Sequence, residues 1–202
     1  TQFLSVVGNT FLLCFATATL VSAFTTLASW PTVRRQPGAW LLDQLASAPL
    51  VFPAIVLAVA FLQFVLNLPL GLYGTLVPIV VASMVQYLPF GMRYAYAGVL
   101  QVHRELEEAS AMSGARGLST FGRIVAPLIA PAAATCWLFV FLTVSKAVSI
   151  PILLSGPQSQ VVAVTMFDMW QNGVAPELAA LGVIWTGIMT VASTFFLRTM
   201  PQ

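Results

Sequence analysis

The sequence predicts an all-α membrane protein with about five transmembrane helices. Hydrophobic residues make up 59% of its 202 residues, charged residues make up only 7%, and the mean hydropathy is +0.93. An ordinary soluble domain carries about 25% charged residues, so this chain has too little polar surface to cover a globule in water. The lipid bilayer is therefore the expected solvent for most of the chain.

Five apolar stretches are long enough to cross a bilayer, since each holds about 20 or more residues with almost no charge. They run from Val6 to Trp30, from Leu45 to Leu68, from Tyr73 to Leu100, from Val125 to Ile150 and from Leu178 to Leu197. Prolines recur inside them, at Pro53, Pro78, Pro89 and Pro131. Neighbouring membrane helices can satisfy the carbonyls that a proline frees, so we expect five kinked spans.

The positions of the basic residues predict the orientation in the membrane. If the loop between the third and fourth spans is cytoplasmic, one end of the bundle holds seven of the eight basic residues: Arg34, Arg35, Arg93, Arg104, Arg116, Arg123 and Arg198. Only Lys146 lies at the other end. Cytoplasmic loops are enriched in Lys and Arg, so the N-terminus is predicted outside and the C-terminus inside. Arg93 is interpreted as an anchor at the inner end of the third span.

The segment from Pro151 to Pro176 is predicted to lie on the outer side. Residues 161–170 alternate between an apolar and a polar helical face, which indicates a short helix dipping into the membrane. Asn172-Gly173 is a plausible end for it. Asp168 on its polar face is either a solvated residue or a docking or pathway residue. Lys146 is likewise either a lysine that reaches the interface or a pathway residue.

The loop over about residues 101–124 reads as a short helix, a glycine turn and a second short helix. Arg104 and Glu108 are four residues apart, a spacing that supports a helix. Gly114 and Gly117 permit the positive φ angles of a chain reversal. The first helix also carries a small apolar face with Leu106, which needs a partner to cover it.

This loop resembles the EAA motif of permeases from binding-protein-dependent ABC importers. The motif reads Glu-Ala-Ala, three residues, Gly, nine residues and Ile-x-Leu-Pro. Here the matching residues are Glu108, Ala109, Ser110, Gly114, Ile124 and Pro127. Ser110 replaces the second alanine of the motif, and Ala126 stands where leucine is usual. The segments beginning at Leu41 and at Tyr87 also resemble flanking helices of that family, so the resemblance covers most of the chain.

The resemblance implies a type I ABC importer permease core in the inner membrane, with the loop acting as a coupling helix. In the family this loop binds a cytoplasmic ATPase subunit, and the glutamate that matches Glu108 contacts a basic residue there. ATP would then be bound by the partner and not by this chain. The family also implies a second permease half or copy and a periplasmic substrate-binding protein.

The substrate is indicated less directly. The stretch from Ser145 to Trp170 looks like the C-terminal half of ferric-iron-type permeases, which are often two fused halves. Polyamine, phosphonate and thiamine permeases share much of this pattern. The start at Thr1 without methionine, and with no signal peptide, fits a half cut from such a chain. We expect one membrane domain over residues 1–202, either a separate subunit or one half of a longer permease.

Other classes of function find little support in the residues. Lys146 is the only lysine, and its neighbours do not form a phosphate-binding loop. His103 has no second ligand nearby in the sequence, so we expect no metal site, and no catalytic constellation is visible. Cys14 and Cys136 are interpreted as packing residues, and no basic tract resembles a nucleic-acid patch. The main alternative is a passive channel or membrane scaffold that has no ATPase.

Overall fold

The structure is a computed structural model that describes residues 2–199; Thr1, on which the expectation of a cut chain rests, lies outside the described residues. Ten α-helices and no strand occur in this range. The helices are α1 (Gln2–Val33), α2 (Ala39–Ser47), α3 (Ala54–Asn67), α4 (Leu76–Leu100), α5 (Arg104–Met112), α6 (Gly117–Thr120), α7 (Ala126–Ser145), α8 (Pro151–Leu154), α9 (Val162–Gln171) and α10 (Ala175–Thr199). A 3-10 turn follows α2 (Ala48–Val51), and a π-helical turn precedes α7 (Phe121–Val125).

Four of the five predicted spans are confirmed as continuous helical segments within residues 2–199. The segments long and apolar enough to cross a membrane are Phe3–Val33, Leu76–Leu100, Gly117–Ser145 and Ala175–Arg198. Pro89 and Pro131 lie inside α4 and α7 without ending them. The fourth span begins earlier than predicted, because α6 and the π-helical turn lead directly into α7.

The second predicted span, from Leu45 to Leu68, is broken more sharply than the kink expected at Pro53. The chain forms two helical pieces, Ala39–Val51 and Ala54–Asn67, which meet at an angle of 106°. Phe52 at the break has φ −102° and ψ 133°, an extended conformation. The ring of Pro53 disfavours the α conformation in the residue before it, which favours a break at this point. Together the two helical pieces form at most one bent membrane span.

Helices α1, α4 and α7 pack against one another and form the centre of the bundle. Their contacts use small residues: a Cβ added to Gly91 would lie 2.7 Å from Val21 Cγ1. Ser22 Oγ donates to the carbonyl of Ala133 on α7 at 3.0 Å. Small residues let membrane helices approach closely, and their hydroxyls bond across the contact. Polar side chains inside this bundle thus serve helix packing.

The predicted outer helix is confirmed as α9, followed by Gly173 with φ +71°. This segment is fixed to the start of α1. Val162 N donates to Thr10 Oγ1 at 2.9 Å, and Asn9 Nδ2 donates to the carbonyl of Gln158 at 2.9 Å. The loops after α3 and α8 meet at a backbone bridge between Gly74 and Ser155. We call this side of the bundle the α9 end and the opposite side the α5 end.

Candidate functional site

The loop at the α5 end has the predicted form of helix, glycine turn and helix. Gly114 has φ +81°, and its N–H donates to the carbonyl of Ala111 at 2.9 Å. A residue with a side chain would be strained there. The same expectation for Gly117 is wrong, because Gly117 begins α6 without a positive φ. An added Cβ at Gly117 would instead touch the Trp30 ring at 3.5 Å.

Glu108 and Ala109 lie on the exposed side of α5. As the spacing predicts, Arg104 Nε contacts Glu108 Oε1, at 3.6 Å, but the two side chains remain 72% and 66% exposed. Exposed pairs of this kind contribute about 0–1 kcal/mol. The Glu108 carboxylate is therefore available to a cation on another molecule.

Apolar side chains accompany Glu108 on the surface of this loop. Leu106 is 45% exposed, Met112 is 91% exposed, and Leu118 at the start of α6 is 85% exposed. Met112 and Leu118 are almost uncovered by other parts of residues 2–199, and Leu106 is about half covered. Large apolar groups clustered with a charge at the surface are typical of a protein contact.

Glu107, the neighbour of Glu108, fixes the loop to the end of α1, and sequence reasoning missed this contact. Its Oε1 accepts from Arg34 Nε at 2.9 Å and contacts Arg34 Nη2, while its Oε2 accepts from Trp30 Nε1 at 3.1 Å. Arg34 Nη2 also donates to the carbonyl of Val102 at 2.9 Å. The paired side chains are only 15% and 13% exposed. We call Trp30, Arg34 and Glu107 the Glu107 anchor.

The remaining residues of the motif join the loop to α7. Ser110 Oγ and Thr120 Oγ1 are 2.9 Å apart, a hydrogen bond that holds α5 against α6. Ile124 is half-buried in the π-helical turn, and Pro127 lies in the first turn of α7. Pro127 has no N–H to donate within this continuous helical segment, and it lies just after the irregular π-helical turn. The loop is thus connected to α1 through side chains and to α7 through the backbone.

The two candidate residues of the α9 end lie apart from this loop. Lys146 caps the end of α7, is exposed, and lines cavities on both sides of that helix. Asp168 is exposed on α9, where its backbone carbonyl accepts from Asn172 Nδ2 at 2.7 Å. The structure shows no ion pair between Lys146 and Asp168 in the range it describes. They do not form one site.

Arg93 differs from the expectation of an anchor at the end of a span. It lies seven residues before the end of α4, about 10 Å along the helix axis, and lines a cavity with Phe90 and Tyr94. As for metals, no group of three or more His, Cys, Asp or Glu side chains that could hold an ion occurs in residues 2–199. His103 is exposed at the start of α5.

A family model described as "binding-protein-dependent transport system inner membrane component" matches residues 18–158, which include the whole loop over residues 101–124. The chain belongs to this family. Membership in this inner membrane permease family confirms the resemblance that the EAA motif indicates. It also means that the long apolar helices are membrane spans. The residues that the family model matches also include the broken second span and α8.

Two curated relatives are similar to this permease over most of its length. It is 27% identical over 189 residues to the ferric transport system permease protein FbpB of Actinobacillus pleuropneumoniae, covering 93% of this chain and 28% of the relative. It is 26% identical over 186 residues to the spermidine/putrescine transport system permease protein PotC of Escherichia coli K12, covering 90% and 68%. The chain thus spans well under half the length of the ferric relative.

Solved structures share the fold of this permease. One is a bacterial alginate ABC transporter in complex with an alginate pentasaccharide-bound periplasmic protein, with a TM-score of 0.80 and 16% identity over 97% of this chain and 77% of the other. Another is the MetNI methionine ABC transporter in an inward-facing conformation, with a TM-score of 0.73 and 15% identity over 98% and 95%. The expected type I importer core is confirmed at the level of the fold.

Proposed function

We propose that this chain is a membrane-spanning part of an ABC importer, which forms the substrate path while a separate cytoplasmic ATPase subunit binds and hydrolyses ATP. The observation that carries the proposal is the two-sided loop at the α5 end. One side is fixed to α1 by the Glu107 anchor, and the other exposes Glu108 with Leu106 and Met112. A loop of this kind can receive movement from a partner and pass it to the spans.

The proposed coupling works through a small set of groups. The Glu108 carboxylate pairs with a basic residue of the ATPase, and the small side chains of Ala109 and Ser110 allow the two surfaces to approach closely. The turn at Gly114 keeps α5 short and fixed in direction. Displacement of α5 is then transmitted to α1 through Glu107 and to α7 through Ile124 and Pro127. Rigid movement of whole segments is typical of alternating access.

The proposal includes an orientation and a set of partners. The α5 end carries most of the basic residues and therefore faces the cytoplasm. The α9 end then faces outward, where Asp168 is available to a substrate-binding protein and Lys146 to the substrate path. A second permease half or copy is required because one bundle does not enclose a path. The fold is similar to that of a transporter solved in complex with a periplasmic protein, which supports a substrate-binding protein as a partner.

Ferric iron is the substrate that we propose for this importer, with polyamines as the alternative. Support comes from the ferric transport permeases among the relatives, which match 93% of the chain. The polyamine permease PotC is nearly as similar. Phosphonate and thiamine permeases share much of the sequence pattern. An uptake assay should therefore include phosphonates and thiamine as well.

The test is co-purification with an ATPase subunit from the same organism. Glu108→Lys is expected to reduce the recovered complex by about thirtyfold, because it places a cation against the partner's cation. Gly114→Pro is expected to abolish the complex, since proline cannot adopt the φ of +81° found there. Glu177→Lys is the matched control: it makes the same charge change on an exposed residue of α10 at the α9 end.

Retention of the full complex by Glu108→Lys would contradict the proposed role of the loop. Failure of the unmodified chain to bind any ATPase would favour a passive channel or scaffold. The elution profile and thermal midpoint of each variant in detergent show whether a loss of ATPase binding comes from misfolding. A variant that folds like the unmodified chain but does not bind the ATPase supports the proposal.

A further inference from the structure

Two stripes of side chains face each other along the contact of α4 with α7. In each helix they follow the spacing i, i+4, i+7, which places them on one face. The stripes are Gln86, Phe90 and Arg93 on α4, and Phe139, Thr143 and Lys146 on α7. They line two cavities of about 420 and 390 Å³, one toward the α9 end and one toward the α5 end. We call these six residues and the two cavities the α4–α7 groove.

Each cavity of the groove contains one cation. Lys146 lines the cavity toward the α9 end, and Arg93 lines the cavity toward the α5 end. Both side chains are exposed, and neither forms a salt bridge or a hydrogen bond with any residue in the range 2–199. Charged side chains within membrane spans are costly and mark substrate paths or pair with an opposite charge. Neither Arg93 nor Lys146 is paired with an opposite charge within the described residues.

No acidic side chain lines either cavity among the described residues. The six acidic residues of the chain lie elsewhere: Asp43 on α2, Glu105, Glu107 and Glu108 on α5, Asp168 on α9 and Glu177 on α10. The only charged groups that line the two cavities in the described residues are therefore cations. A narrow cleft with low-dielectric walls concentrates the field of such groups, which attracts anions and repels cations.

Gln86 adds a polar group without a hydrogen-bond partner among the described residues, beside the cavity that Lys146 lines. Its Oε1 is shielded from solvent and has no hydrogen-bond partner within residues 2–199, although most buried polar atoms have one. This side chain lines the same cavity as Lys146. A rotation of this side chain toward the cavity would present the acceptor to an occupant that carries a donor, such as a hydroxyl group or a water bound to a metal ion.

Aromatic rings separate the two charged ends of the groove. The centroids of Tyr87 and Phe90 are 6.2 Å apart, those of Phe90 and Phe139 are 5.8 Å apart, and those of Tyr94 and Phe139 are 5.4 Å apart. Phe90, Tyr94 and Phe139 line the cavity of Arg93, and Tyr87 lines the cavity of Lys146. An occupant thus meets a cation, an aromatic constriction and a second cation in succession.

We propose that the α4–α7 groove is the substrate path of this chain and that its substrate is an anionic, oxygen-rich solute with a hydrogen-bond donor. A hydroxycarboxylate has this chemistry, and so does ferric iron held as an anionic complex by such ligands. The inference rests on the proposed function and narrows its substrate. A free ferric ion and a polyamine are both cations and are disfavoured by Arg93 and Lys146.

The test measures the charge preference of the groove with thiol reagents in the complete transporter reconstituted in liposomes. Cysteine is introduced at Ala97, one turn from Arg93, or at Thr143, next to Lys146 in the stripe. Both positions are expected to react about tenfold faster with an anionic than with a cationic methanethiosulfonate, relative to the same ratio at Gln158→Cys. Cys14 and Cys136 are fully buried, so background reaction is low.

Neutralising each cation gives the decisive comparison. Arg93→Gln is expected to remove the preference at Ala97→Cys, and Lys146→Gln is expected to remove it at Thr143→Cys. Arg198→Gln, at the end of α10, is the matched control and is expected to leave both ratios unchanged. Equal rates for the two reagents, a preference that survives neutralisation, or no reaction at either position would each overturn the proposal.

Protection experiments separate the two sources of an anionic substrate. Citrate, ferric citrate and spermidine are added in turn while modification of Ala97→Cys is followed. Slowing by citrate alone identifies a free carboxylate, and slowing by ferric citrate alone identifies an iron complex. Slowing by spermidine alone would overturn the proposed class. ATPase activity in the same liposomes reports on the importer itself, so a transporter with active ATPase and no anion preference contradicts only this inference.

Discussion

An Arg34→Gln variant is expected to lose ATP-driven uptake while the ATPase subunit continues to hydrolyse ATP. The substitution removes the charged partner of Glu107 and leaves this half-buried carboxylate with only the Trp30 N–H, at 3.1 Å. Breaking a largely buried ion pair costs about 2 kcal/mol once its partial exposure is allowed for, or about thirtyfold in the population of the anchored loop. A detached loop can still bind the ATPase but no longer moves α1.

Arg35→Gln is the matched control for this prediction. Arg35 is adjacent and exposed, and it forms no ion pair in the part of the chain that the structure describes. Uptake into liposomes measures the function, and trypsin cleavage at Arg104 and Arg116 measures detachment of the loop. Arg34→Gln should be cleaved faster than Arg35→Gln. Identical cleavage and uptake in the two variants would show that the Glu107 anchor carries no coupling.

A Gly91→Leu variant is expected to lose most of its folded population in detergent. A Cβ at this position would lie 2.7 Å from Val21 Cγ1 and 2.8 Å from Thr25 Cγ2. Helices α1 and α4 would have to separate at the centre of the bundle. Overpacking of a core costs about 1–3 kcal/mol for small additions, so Gly91→Ala should lower the thermal midpoint and Gly91→Leu should lower it further.

Gly187 provides the control for side-chain size. It lies within α10, and an added Cβ there has nothing within 4 Å. Gly187→Ala and Gly187→Leu are therefore expected to keep the midpoint of the unmodified chain. The midpoint is measured by the fraction that stays monodisperse in size-exclusion chromatography after heating. A Gly91→Ala variant as stable as Gly187→Ala would contradict the packing of α1 against α4 described above.

The spans could be predicted from the sequence because the hydrophobic stretches are nearly free of charge. The break at Phe52 could not be placed with the same reasoning, since a proline inside an apolar stretch either kinks a helix or ends it. Pro89 and Pro131 are accommodated within helices, whereas Pro53 follows an extended residue. Tertiary packing decides between these outcomes, and hydropathy contains no information about it.

The candidate site was predicted in part. The spacing of the motif singled out Glu108 and Gly114. The residues of the loop predicted its order of helix, glycine turn and helix, because these features are local in sequence. The Glu107 anchor was missed because it joins residues 73 positions apart. An acidic residue at 107 and a basic pair after α1 were visible, but neither spacing nor charge indicates which side chains meet. The position of Arg93 in a cavity between α4 and α7 was missed for the same reason.

Unequal burial among the spans has a consequence for how the molecule is made. The most apolar window of α1 is 44% buried inside the bundle, whereas that of α10 is only 17% buried. Helix α10 contacts mainly α9 and α7. The three-helix centre can therefore form during synthesis before α10 has left the ribosome, and α10 joins it afterwards at a small gain in contact. We expect its amides to be the first of the spans to exchange with deuterium.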